Sequence, residues 1–102
     1  MSSIHLIERL ENIKKVDVAR NEWESGFWVV SKESAYKLIG HDIYFHEYQK
    51  EPSFLGGKII GFHIREESNR VVFRFKESES HKGVTTPFEG WGNEQKRVWS
   101  KC

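Results

Sequence analysis

The segment HDIYFHE (residues 41–47) gathers four side chains able to hold a metal ion or move a proton: His41, Asp42, His46 and Glu47. A further imidazole, His63, follows a short loop later. A metal needs its ligands to converge on one point. In a strand successive residues face opposite sides, so His41 and His46, five apart, diverge, and the segment is not HExxH. A cross-strand meeting of His46 with His63 would bring two imidazoles together, because facing side chains lie ~5 Å apart. A small metal-dependent or acid–base hydrolase would need two or more of His41, His46, His63 and Glu47 to meet. Ser25 and Ser53 lack the strand-to-helix setting of a nucleophile elbow. Glu22, Glu24, Glu89 and Glu94 flank tryptophans, but glutamate is too common here to mark a site. Gly56 and Gly57 match no phosphate loop and are expected to be turn glycines with positive φ. No catalytic residue, metal ligand or cofactor is assigned.

The aromatic residues are a stronger signal. The chain carries four Trp, three Tyr and seven Phe. Trp91 sits in GWG, between two flexible residues of a polar stretch, where it could stack on a base or plug the end of a barrel. Stacking of this kind is worth ~1–3 kcal/mol per base in single-strand binders. The candidate ligand-binding set is Trp23, Tyr44, His46, His63 and Trp91. Arg70, Arg74 and Lys76 share one strand face and are candidate phosphate contacts, with Lys96, Arg97 and Lys101 as an extension. Glu77, Glu79 and Glu94 dilute that stripe, and a net charge of +1 gives no global case for DNA or an acidic membrane.

These residues need elements to position them. "IHLIERLENIKKV" (4–16) spaces Leu6, Leu10 and Ile13 as a helix would, although Ile4 and Leu6 also fit a strand face. Residues 17–25 read as a polar connection ending at Trp23. "GFWVV" (26–30) is a strand. Ser31 is placed as an N-cap, Ala35, Leu38 and Ile39 as a buried stripe, and Gly40 as the stop of a short helix. Residues 42–48 form a strand, 49–57 a loop, and 58–65 a strand with Ile60, Phe62 and Ile64 opposite Ile59, Gly61 and His63. In "RVVFRFK" (70–76) Val71, Phe73 and Phe75 alternate with Arg70, Arg74 and Lys76, which makes one face wet. Residues 77–92 form a long polar loop, and 94–100 a closing strand.

The 102 residues form one domain, 1–102. The fold class is α+β: a small, mainly antiparallel curled sheet, or a partly open β-barrel, with one or two short helices. Cys102 is the only cysteine, which rules out an internal disulfide and favours a reducing compartment. Neither a signal peptide nor a membrane span is visible, so a cytoplasmic protein without membrane contact is expected.

Phe27-Trp28-Val29-Val30, then Gly40 and Asp42 leading into Ile43 and Phe45, then Gly56-Gly57 with Ile59-Ile60-Gly61, resemble the PUA-like group of small barrels that includes EVE and ASCH domains. The resemblance spans residues 26–64 and departs at His41, which is inserted between the Gly and the Asp. It implies binding of RNA or a modified base in a cleft without chemistry. "WESGFW", "PSFLGGKI" and "EGWG" also look similar to small uncharacterised bacterial gene-cassette proteins, which implies no activity. The leading expectation is a non-catalytic binding module for single-stranded nucleic acid or a nucleobase-like ligand. The alternative is an interaction protein that self-associates through the same aromatics.

Overall fold

The computed structural model describes residues 2–8, 12–92 and 94–99. Seven strands form one mixed sheet: β1 (Ser3–Ile7), β2 (Lys14–Asp17), β3 (Glu22–Trp28), β4 (Asp42–His46), β5 (Ser53–Arg65), β6 (Arg70–Glu77) and β7 (Gln95–Val98). One helix, α1 (Lys32–Leu38), joins β3 to β4, and a 3-10 turn (Glu79–His81) follows β6. The spatial order is β2-β3-β6-β5-β4-β1-β7. Only β1 with β4 is parallel; the other pairings are antiparallel. The domain is therefore mostly β. Its end strands β2 and β7 do not pair, so the sheet is open.

The strands and the helix pack on a single core: Ile4 and Leu6 of β1, Trp28, Ala35 and Leu38 of α1, Ile43, Phe45, Ile59, Val71, Phe73 and Phe75. The Gln95 side-chain amide donates to the Val29 carbonyl (3.0 Å), tying the β7 edge to the chain leaving β3.

Local signals hold where they are strongest. Ser31 caps α1 by accepting from the Ser34 amide (3.1 Å), Ala35 and Leu38 are buried, and Gly40 takes φ 86°, whereas Ile39, placed in the same stripe, is the C-cap and is exposed. Along β6, Val71, Phe73 and Phe75 are fully buried.

Four expectations are corrected. Residues 4–16 contain strands β1 and β2, not a helix. The Ile4/Leu6 alternation prevails because β1 is inserted between β4 and β7 and buried on both faces. Next, Gly56 and Gly57 lie within β5, which begins at Ser53, and neither has positive φ. They permit close approach instead: a Cβ on Gly57 would stand 1.8 Å from the Lys76 carbonyl oxygen. Finally, a bulge between Ile59 and Gly61 reverses the side-chain parity of β5. Ile59 therefore shares the inner face with Phe62 and Ile64, while Ile60 and His63 turn outward. The stretch expected to be a polar connection also supplies the start of β3, at Glu22.

Candidate functional site

At one end of the sheet β1, β4 and β6 finish while β3 and β5 begin, and α1 joins β3 to β4 at the other. The first end is the mouth of an open groove of about 780 Å³ lined by Ile13, Trp23, Phe54 and Leu55, with Glu8, Glu47, Glu77 and Lys82 also bordering it. Ile13 and Trp23 rest on the hydrophobic core, so the groove floor is continuous with it. Trp23 is held in place: its Nε1–H donates to Glu77 Oε1 (3.0 Å). Lys82 Nζ lies 2.9 Å from Glu77 Oε2, and this hydrogen bond holds the Glu77 carboxyl below its ordinary range. The Lys15 ammonium lies 5.3 Å from the Trp23 ring centroid, within cation–π range.

The outer face of the sheet carries a second cluster. Alternation along β4 puts Asp42, Tyr44 and His46 on this face, and their β1 partners are Ser3, His5 and Ile7. His5 Nδ1 lies 2.9 Å from His46 Nε2, and His46 Nδ1 lies 2.8 Å from the Glu51 carbonyl oxygen. A carbonyl only accepts, so His46 Nδ1 carries the proton and Nε2 accepts from His5 Nδ1–H. His5 Nε2 then accepts from Ser3 Oγ at 3.3 Å. Trp91 meets both imidazoles edge-on, at 6.3 and 5.7 Å between centroids. Burial, then the neighbouring His46 and Lys96, push His5 down to about 4, and burial lowers His46. Lys96, opposite His5 on β7, is buried and donates to the Pro87 carbonyl.

Tyr44 continues the stack, 4.7 Å from His5 on one side and 5.0 Å from His81 on the other. His81 Nε2 lies 2.8 Å from Asp42 Oδ1, and Lys58 Nζ lies 3.1 Å from the same oxygen. Burial raises the Asp42 pKa, but the bonds from His81 and Lys58 outweigh it and hold the carboxyl below its ordinary value. Gly56, opposite Tyr44, makes room for this packing: a Cβ there would stand 2.9 Å from that of His81.

The sequence-derived set thus divides. Trp23 lines the mouth, whereas Tyr44, His46 and Trp91 come together on the outer face with both faces of Tyr44 occupied. His63 stands apart from His46. His46 pairs with Ser53 at the start of β5, and His63, ten positions further along, pairs with Val72. His63 borders a smaller groove of about 350 Å³ with Lys14, Glu24 and Arg65. His41, His46, His63 and Glu47 therefore do not converge, and among the described residues no group of three His, Cys, Asp or Glu is placed to hold a metal. Of the basic stripe, Arg74 is bonded to Glu22 (2.9 Å) and Arg70 lies over the Phe27 ring (5.6 Å), while Lys76 is exposed. Lys96 leaves the stripe for the outer-face cluster, and Lys101 and Cys102 fall outside the described residues. Sequence reasoning missed His5 and His81. The Ser3/His5/Ile7 alternation was a usable signal for His5; His81 had none beyond its adjacency to Ser80.

No family model, no curated protein and no solved structure matches the chain. Among the described residues no helix is long and apolar enough to cross a membrane.

Proposed function

We propose that the chain is a binding module whose mouth takes a nucleobase-like small ligand, stacked on Trp23. The carrying observation is the groove of about 780 Å³ with one anchored tryptophan in its wall and Glu8, Glu47 and Glu77 bordering it. A concave, partly apolar site with a few convergent polar groups is the usual form of a ligand pocket. Carboxylates accept hydrogen bonds, so they suit the exocyclic amines and ring N–H groups of a heteroaromatic base. They oppose phosphate, which favours a free base or nucleoside over a nucleic-acid strand. The pairing of Arg74 with Glu22 weakens the phosphate stripe in the same direction. In this reading the sheet works as a partly open barrel, as the PUA-like resemblance implies, and the mouth binds without reacting.

The test is calorimetric titration of free nucleobases, nucleosides and single-stranded RNA at low and high salt. Saturable base binding that ignores salt and is lost in Trp23→Leu supports the reading. Binding only of RNA, fading with salt, would replace the mouth with the basic stripe. No binding of any of them would leave self-association, which the two unpaired edges β2 and β7 favour.

A further inference from the structure

The turn after β6 holds a hydroxyl, an imidazole and a carboxylate in series. Ser80 Oγ lies 3.2 Å from His81 Nδ1, and His81 Nε2 lies 2.8 Å from Asp42 Oδ1. The direction of the bonds follows from their ends. Asp42 is ionised and only accepts, so in the neutral imidazole Nε2 carries the proton and Nδ1 presents its lone pair. Ser80 is then the donor, its Oγ–H aimed at that lone pair. Ser78 Oγ, 2.9 Å from Ser80 Oγ, can donate to the hydroxyl oxygen from behind. The base is fixed: His81 is buried, and its ring lies against Tyr44. The hydroxyl is open, because Ser80 is exposed. A nucleophile within reach of a base that a third group orients is the arrangement that activates serine. It differs from the usual one in which imidazole nitrogen faces which partner, and that difference leaves the proton path intact.

We propose that Ser80, His81 and Asp42 form a nucleophilic relay that accepts an acyl group from a carboxylic ester. Ser80 Oγ bonds to the acyl carbon as its proton passes to His81 Nδ1. The tetrahedral adduct collapses, the carbon–oxygen bond to the alcohol breaks, and Nδ1–H protonates the departing alkoxide. Water, deprotonated by the same Nδ1, then releases the carboxylic acid and restores the serine. Ser80 and His81 touch the reacting atoms; Asp42 is a positioning residue. The relay stands on its own bonds and does not depend on ligand binding at the mouth, although Glu77 and Lys82, which flank the turn, both line that groove.

The experiment is reaction of the full chain with a fluorophosphonate and with p-nitrophenyl acetate, mapping the adduct by mass spectrometry. The expected result is an adduct on Ser80 that Ser80→Ala removes, formed about 100-fold more slowly in His81→Gln. If His81→Gln does not fold, Asp42→Asn takes its place in the rate comparison. Asp42→Asn should lower the maximal labelling rate with little change in the probe concentration that gives half of it, as expected of a residue that positions the base without touching the probe. The groups facing that imidazole are Asp42 and Tyr44 on β4, Lys58 on β5 through Asp42, and Ser80 beside it. An unlabelled Ser80, or a labelling rate unchanged in the folded variants, would overturn the proposal.

Discussion

His5 and His46 share one hydrogen bond on the outer face, and that bond leaves no place for a second proton on His46. The donor sequence from Ser3 to the Glu51 carbonyl uses every ring nitrogen once. Protonating His46 would set two N–H groups head to head, and Lys96 stands beside His5 as a further positive charge. The folded-state pKa of His5, about 4, lies below the 6.5 of a free histidine, and that of His46 is lowered too. Between those limits the unfolded chain binds more protons than the folded one. The stabilisation is complete above pH ~6.5 and is lost as the pH falls towards ~4. The free energy of unfolding in urea, and the midpoint with it, should therefore fall between about pH 7 and pH 4.5, the free energy by up to ~1.4 kcal/mol per pH unit for each excess proton. Asp42, whose pKa is depressed, adds its own loss only below the ordinary carboxylate value. A midpoint that stays level across the histidine window would show that the pair already accepts a proton in the fold. The pairing itself was not legible in the chain: His5 and His46 are 41 residues apart, and only the strand register makes them neighbours.

Among the elements, α1 and β6 were legible because their signals are local: a capping serine followed by a helical stripe, and a clean two-residue alternation. β5 was legible over 58–65 as a strand, but not in its start or its faces. Its bulge changes the face of every residue beyond Ile60, and a bulge leaves no mark that composition or period can register. Its glycines were misread for a related reason, since a close approach depends on the neighbouring strand, not on the chain's own turn chemistry. The two kinds of glycine in β5 can be separated experimentally. A methyl on Gly57 meets backbone, 1.8 Å from the Lys76 carbonyl oxygen, whereas one on Gly61 meets nothing within 4 Å. Gly57→Ala should cost about 3 kcal/mol or more, because β6 itself must move. Gly61→Ala should change stability by under ~1 kcal/mol. Equal losses in denaturant unfolding would mean that β5 and β6 do not approach as described.

At the scale of the whole molecule the decisive strand is the first one. β1 lies between β4 and β7, and among the described residues it is β7's only strand partner. All five of its residues are buried, those on one side in the core and those on the other under the histidine cluster. The chain therefore places this short segment as a central strand, joined to β4 some forty residues later through a parallel pairing. Exchange should follow position in the sheet: central buried strands open last and exposed edge strands first. Amides of β1 should exchange as slowly as those of β5, by opening of the whole domain. Amides of β2, an edge strand with only Asp17 partly buried, should exchange by local opening at a much faster rate. Native-state hydrogen exchange reads both in one experiment. If β1 exchanged as fast as β2, the sheet would be held together by β3 to β6 alone. The Ser3–His5–His46 chain would then be a surface feature, and the pH dependence argued for it would disappear as well.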